Sequence, residues 1–506
     1  MTDLLGAPKP STITELLRQR AQSFPNALAY SFIRNTAGAV ESITYQQLDC
    51  RARSIAAMLQ VHKARGERAV LLYPAGIEFI VALFGCLYES VIAVPTSLPR
   101  PRRTQPLENL FEDSGASLLL SLGAAKKQWE GKIGSRTGLV RWMATDEVDV
   151  TRSEDWNGQT VASDSMAYLQ YTSGSTSRPR GVMITHANVM ANCADIYEFT
   201  PPDEQSAGVS WLPHFHDMGL IVGIFGPLFG GYPGVLMSPG DFMGRPRLWL
   251  EVMTKFRGSH SVAPNFAYDL CIDKIPQNQR EGLDLSCWKY AACSAEPIRY
   301  STMERFAAAF EPYGFRRSAL CPAYGLAEAT LMVTVRTRRE AIRVVPVDRK
   351  SLSQAKMVEG ATDTTQMVVS CGPTSKTTQV CIVDPESGLP CNPGQVGEIW
   401  LCGPGVARGY WNLPEHPAFG AHIPGRGESF LRTGDLGFLH ENELFITGRL
   451  KDLIIIDGRN LYPEDIEEVS GRSHPALRSS ATVAFSVDWA WKFVSTRGKT
   501  ALACCQ

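Results

Sequence analysis

Two hydrophobic periods alternate along the first two thirds of the chain. Short apolar runs rich in β-branched residues are separated by segments whose apolar positions recur every three to four residues. The pattern predicts a helix over Ser11–Gln22, with Thr12 and Glu15 at capping-box spacing, and a strand over Ala27–Ile33. A second helix, capped by Thr44 and Gln47, runs to about Val61. Strand Ala69–Tyr73, helix Ile77–Tyr88, strand Val91–Pro95, helix Leu107–Asp113 and strand Ser117–Leu122 follow. This order marks parallel βαβ units with helices on the faces of the sheet. It returns after Thr185 and continues to about Val335, which leaves open one long sheet or two.

From about Arg343 the character changes. Short β-type runs at Met367–Ser370, Gln379–Val383, Gly397–Leu401 and Leu444–Thr447 are separated by Gly, Pro and Asn turns, as in a small barrel or meander. Tyr462-Pro463-Glu464 reads as a helix start with proline in its first turn. After Val487 neither period continues.

Composition narrows the class without choosing a function. At 506 residues the chain should hold more than one domain. A net charge of −1 gives no bias toward nucleic acid or anionic membrane. The thirteen cysteines are scattered without a C-x-x-C pair, which fits reduced thiols and a cytoplasmic location. Met1-Thr-Asp-Leu-Leu-Gly6 shows no secretory signal pattern. Met218–Gly240 carries no charge and is long enough for a membrane span, but Pro227, Pro233 and repeated glycines would break a spanning helix. A buried helix–loop–strand around an apolar cavity is the expected form, and no transmembrane segment is expected.

The stretch with the most chemical content runs from Tyr168 to His186. A strand over Met166–Tyr171 opens into Thr172, Ser173, Gly174, Ser175 and Thr176, and a helix is predicted near Thr185. Backbone N–H groups of such a strand-to-helix loop can converge on a phosphate. The Walker order G-x-x-x-x-G-K-[ST] is absent. A surface linker is the plain alternative. Downstream, in order, lie Trp211-Leu-Pro-His-Phe-His-Asp-Met-Gly219, Cys293-Ser-Ala-Glu-Pro-Ile298, Tyr324-Gly-Leu-Ala-Glu-Ala-Thr330, Arg432-Thr-Gly-Asp-Leu-Gly437 and Gly448-Arg-Leu-Lys-Asp-Leu-Ile454. His214, His216 and Asp217 lack a third His or Cys at zinc spacing, so they do not read as a zinc site.

In this ordered set the sequence resembles the adenylate-forming superfamily of acyl-CoA synthetases, adenylation domains and luciferases, and within it the fatty acyl-AMP ligases. The resemblance covers about residues 11–487. It implies an α/β fold: two α/β lobes (about 11–340) and a small β-barrel lobe (about 341–450) form a large N-terminal domain, 1–450. A hinge and a small α+β C-terminal domain, 451–506, follow. The implied reaction is attack of a fatty carboxylate on the α-phosphate of Mg-ATP, giving acyl-AMP and pyrophosphate, then transfer to the thiol of an acyl carrier protein. A monomer is expected. A CoA synthetase, or an impaired adenylate- or lipid-binding remnant, are the competing readings.

The resemblance assigns roles position by position. Thr172–Thr176 hold the β- and γ-phosphates, and Arg180 stands where the family usually has lysine. His216 lies beside the reacting carboxylate. Ser294, Ala295, Glu296 and Gly325 contact the nucleotide, and Tyr324 stacks on adenine. Glu328 binds Mg²⁺, although a carboxylate favoured at a helix N-terminus is the alternative. Asp435 accepts the ribose hydroxyls, assisted by Arg449. Ala327 replaces a common threonine. The Met218–Gly240 run becomes the wall of an acyl tunnel. The 43 residues between Glu328 and Gly372, including Val345–Val358, resemble the insertion of acyl-AMP ligases that hinders the movement needed for CoA. Only 54 residues follow Asp452. The tail after about Val487 therefore reads as a truncation or frame change, with Lys499 too close to Glu467 for the family's C-terminal catalytic lysine and adenylation weakened as a result.

Overall fold

The computed structural model describes residues 9–34, 39–99, 105–129, 140–172, 179–336, 342–360, 365–456 and 459–463, with short stretches between 466 and 500. The predicted caps form. Glu15 N donates to Thr12 Oγ1 at 3.2 Å and starts helix Ile13–Ser23, although Glu15 Oε2 accepts from Ser11 N at 2.7 Å, so half of the expected box forms here. Gln47 N donates to Thr44 Oγ1 while Thr44 N donates to Gln47 Oε1, closing the capping box of helix Tyr45–Val61.

The alternating region builds two sheets. In the six-stranded sheet the order is Arg141–Ala144, Leu118–Ser121, Arg68–Leu72, Ile92–Thr96, Met166–Thr172 and Arg180–Thr185. The eight-stranded sheet runs Met332–Val335, Leu320–Gly325, Tyr290–Cys293, His260–Ala263, Gly208–Ser210, Gly234–Met237, Leu28–Ile33 and Val40–Thr44. Interior pairs are parallel and antiparallel strands sit at the edges. One apolar core joins the two: helix Ile77–Tyr88 contributes Phe84, which meets Phe225, and Phe225 stacks on Tyr168. Gly85 permits that helix to approach its neighbour, since a Cβ there would lie 2.5 Å from Ile55.

The helix predicted near Thr185 forms with Thr185 as its cap, but a strand not predicted from the sequence precedes it. Strand Arg180–Thr185 returns antiparallel, with Thr172 opposite Arg180 and Tyr171 opposite Gly181, and the helix His186–Phe199 starts only after it. Val182 and Ile184 alternate toward the core at strand period. Residues 173–178, and so Ser173, Gly174, Ser175 and Thr176, lie outside the described residues.

Met218–Gly240 folds as short pieces: helix Asp217–Leu220, a π-helical turn Ile221–Phe225, helix Gly226–Gly230 and strand Gly234–Met237. Among the described residues no helix is long and apolar enough to cross a membrane. The described cysteines are free thiols.

Beyond Arg343 three of the four predicted strands, Gln379–Val383, Gly397–Cys402 and Glu443–Arg449, join Ala421–His422 and Ser429–His440 in a five-stranded antiparallel sheet, while the run at Met367 lies in a separate two-stranded one. The extra segment pairs Val344–Asp348 with Thr365–Val369 and carries a short helix, Arg349–Leu352, capped by Asp348. Leu352 and Val347 share a core with Phe438, Phe445 and Tyr462, and Asn460 N donates to Ser353 O at 3.1 Å. The insertion thus packs on the backbone just past the expected hinge. The helix expected at Pro463 is described only in fragments, and the side chain of Lys499 lies outside the described residues.

Candidate active site

Parallel sheets gather their functional loops at the carboxyl ends of the strands. Here strand Tyr290–Cys293 ends at Ser294, Ala295 and Glu296, and strand Leu320–Gly325 ends at Tyr324 and Gly325. Together with Asp435, Gly448, Arg449 and Asp452 these line a cleft of about 280 Å³. Seven of the predicted nucleotide residues, separated by up to 155 positions in sequence, therefore meet in one place.

The turn at Ser294 is held under strain. Ala295 lies in the left-handed region at φ 76°, where a non-glycine residue costs ~1–3 kcal/mol. Buried Asn265 secures it: its Nδ2 donates to Pro297 O at 2.7 Å, and its Oδ1 accepts from Arg299 N at 3.1 Å. Glu296 Oε1 accepts from Phe266 N at 3.0 Å.

On the opposite wall, Asp435 is aimed by a buried carboxylate that sequence reasoning missed. Glu398 is 2% exposed and accepts from Trp400 Nε1, from the Arg432 guanidinium and from Gly434 N. Gly434 takes φ 72°, a conformation that costs glycine least. The kink presents Asp435 to Tyr324, whose hydroxyl donates to Oδ2 at 2.7 Å, and to Arg449, whose Nε contacts Oδ1 at 2.9 Å. Burial raises the Asp435 pKa above the usual carboxylate value, with Arg449 and Tyr324 opposing the shift. The charge of that nearby carboxylate in turn raises the Arg449 pKa.

Glu328 sits on the 3-10 turn Ala327–Ala329, three residues past Gly325. Its Oε1 accepts the Tyr410 hydroxyl at 2.6 Å, and the Arg180 guanidinium lies 5.4 Å over the Tyr410 ring. Glu328 and Arg180 are thus connected through a tyrosine that no periodicity pointed to. Thr172, opposite Arg180, ends its strand at the same edge.

His216 lies at the start of helix Asp217–Leu220. Burial lowers its pKa, but the hydrogen bond and charge of Asp217, 2.5 Å from Nδ1, outweigh this and raise it above the ordinary histidine value. Gln170 ties this loop to the hairpin by donating to Phe215 O at 2.8 Å. His214 packs on Phe79 and its pKa falls to about 4 because it is buried, which leaves it neutral. His216 borders neither cavity, although Met218, two residues on, lines the second one.

That second cavity, about 80 Å³, adjoins the cleft through Ser294, Ala323, Tyr324 and Gly325. Met218, Val222 and Gly226 descend one side of it at four-residue spacing. Tyr197, Tyr232 and His260 also line it, with the two tyrosine hydroxyls bonded to each other and His260 nitrogens paired with Ser259 and Thr200. The lining is therefore almost wholly apolar in character.

Comparison with known proteins agrees with this arrangement. The family of AMP-binding enzymes matches residues 17–411. The medium-chain-fatty-acid–[acyl-carrier-protein] ligase JamA of Moorena producens (strain JHB) is 45% identical over 498 residues, covering 96% of this chain and 84% of JamA. The long-chain-fatty-acid–AMP ligase FadD32 of Mycolicibacterium smegmatis is 36% identical, covering 95% and 80%. A fatty acid AMP ligase from Legionella pneumophila superposes with a TM-score of 0.85 at 38% identity, over 95% of this chain and 84% of that one. A fatty acyl-adenylate ligase from the same organism, solved with acyl adenylate and pyrophosphate, gives 0.84. The chain belongs to the AMP-binding, adenylate-forming enzyme family, in its fatty acyl-AMP ligase branch.

Proposed function

We propose that this site joins a fatty acid to AMP, releasing pyrophosphate, and hands the acyl group to the phosphopantetheine thiol of an acyl carrier protein in lipid, polyketide or lipopeptide synthesis. The observation that carries the reading is the junction of a polar cleft with a narrow apolar cavity at Ser294, Tyr324 and Gly325. A nucleotide fits the first and an alkyl chain the second, with the reacting carboxylate at their boundary.

In this reading Tyr324 stacks on adenine and Asp435 accepts the ribose hydroxyls, a task suited to a carboxylate because it accepts twice and donates nothing. Thr172 and Arg180 face the phosphates at the hairpin edge, joined by Ser173–Thr176. A carboxylate oxygen of the fatty acid attacks the α-phosphorus. The bond from that phosphorus to the bridging oxygen breaks, and pyrophosphate carries away the electron pair. His216, two residues before the cavity-lining Met218, is the side chain this reading turns toward the carboxylate, and Asp217 raises its pKa and so favours its charged form.

The residues fit Mg²⁺ as well. Among the described residues no cluster of three His, Cys, Asp or Glu offers a metal cage. Glu328 is a single hard carboxylate, and the bond from Tyr410 uses one of its roughly four lone-pair positions. One carboxylate plus substrate phosphates is how Mg²⁺ is usually bound. Held there, the ion would neutralise phosphate charge.

We divide the chain into an N-terminal domain over 1–450 and a C-terminal part over 451–506, working as a monomer in the cytoplasm, where free thiols persist. Acceptance of a carrier-protein thiol in place of CoA is supported by the insertion packed against Tyr462 and Asn460. Supplying ATP, Mg²⁺, a C8–C16 acid and either CoA or holo-carrier protein tests this. The acyl group should reach the carrier protein; thioester formation with CoA at the rate of adenylation would favour a CoA synthetase.

A further inference from the structure

Tyr410 stands at the meeting point of two substrate-binding elements. Its segment is hydrogen-bonded on one side to the Glu328 turn, where Ala407 N donates to Glu328 O at 2.8 Å and Thr330 Oγ1 donates to Gly405 O at 2.7 Å. On the other side it extends the hairpin that carries Arg180. Trp411 N donates to Gly181 O at 2.7 Å, Met183 N donates to Gly409 O at 2.9 Å, and Val182 bridges Tyr410. The ring is 6% exposed and fixed edge-on by His416 at 4.7 Å and Phe419 at 5.2 Å, with Arg180 over its face. Its only freedom is the hydroxyl, and that donates to Glu328 Oε1 at 2.6 Å.

We propose that Tyr410 is a positioning residue that fixes the Glu328 carboxylate for a divalent cation and keeps it in register with Arg180. The inference rests on the reading of Glu328 as the Mg²⁺ ligand. A carboxylate held by one outer donor presents its remaining lone pairs in a set direction. A free carboxylate would turn toward Arg180 and neutralise the charge meant for phosphate. Loss of such an outer partner costs about 10–100-fold in metal affinity.

The test is a Mg²⁺ titration of ATP-analogue binding by calorimetry, using an α,β-methylene ATP that cannot release pyrophosphate, with the full chain, wild type and Tyr410→Phe. Phenylalanine keeps the ring contacts, and a melting curve checks the fold. The Mg²⁺ concentration for half-maximal binding should rise about 10–100-fold, while AMP, which needs no metal, binds within about twofold of wild type. In a Glu328→Gln background the Tyr410→Phe effect should vanish, because the partner it acts through is gone. An unchanged Mg²⁺ requirement, an equal loss of AMP binding, or a full effect persisting in Glu328→Gln would overturn the proposal. Wild-type binding independent of Mg²⁺ would instead overturn the metal reading of Glu328, and the proposal with it.

Discussion

Tyr324 and Asp435, 111 residues apart, are joined by a 2.7 Å hydrogen bond across the cleft. The bond fixes the aromatic face expected against adenine relative to the carboxylate expected under ribose, so one contact sets both ends of a nucleoside. Replacing Asp435 by Ala should weaken ATP binding about 10–100-fold, the scale of losing hydrogen bonds to a charged group. Tyr324→Phe should cost less, about 5–10-fold, since the ring remains. Calorimetry with ATP decides; equal binding by Asp435→Ala would remove this aspartate from the site.

Much of this was legible from the chain because it is local. Thr12, Thr44 and Thr185 announce their helices through side chains that reach only three residues. Helix Ile77–Tyr88 matches its predicted bounds, since an unbroken apolar run between turn residues has little freedom. The motifs around Tyr324 and Asp435 were legible as a set. Glu398 and Tyr410 were not: each acts through partners 34 to 82 residues away, and neither breaks a period. The helix after Thr185 was legible and the strand Arg180–Thr185 before it was not, because six residues are too few for a strand period to stand out from a loop.

The cavity wall predicts chain-length control. Met218 to Gly226 spans ~12 Å along the helical axis, and an extended chain advances ~1.2 Å per bond, so about ten bonds fit alongside. Val222→Phe should cut kcat/KM for dodecanoate and longer acids relative to hexanoate, by up to about fourfold per methylene excluded at ~0.8 kcal/mol each. The KM for ATP should not change. Equal loss for all acids would place the alkyl chain elsewhere.

Acid stability should depend on three buried neutral histidines. Burial lowers His186, His214 and His260 to about 4 from an ordinary 6.5. Their folded pKa values are depressed, so the stability they contribute is present above the unfolded value and is lost as pH falls from 6.5 toward 4. In that window each costs up to ~1.4 kcal/mol per pH unit as the unfolded chain takes up its proton. Urea midpoints between pH 7 and 4.5 should fall steeply, and His260→Gln should flatten the fall. A midpoint independent of pH would show that these histidines are charged or exposed.

His216 should behave oppositely. Its raised folded pKa means that its stabilising contribution is complete below the unfolded value and fades as pH rises through the folded one. Asp217→Asn should lower the His216 pKa in a proton-detected titration and move the basic limb of the adenylation profile to lower pH. No movement of either would detach Asp217 from His216.

Synthesis of an acyl-adenylate by the joined cleft and cavity is tested most directly by detecting the mixed anhydride by mass spectrometry after incubating the chain with ATP, Mg²⁺ and dodecanoate. Dodecanoyl-AMP and pyrophosphate should form in equal amounts, both falling about 10–100-fold in Asp435→Ala at subsaturating ATP. ATP binding with no acyl-AMP from any fatty acid would contradict it.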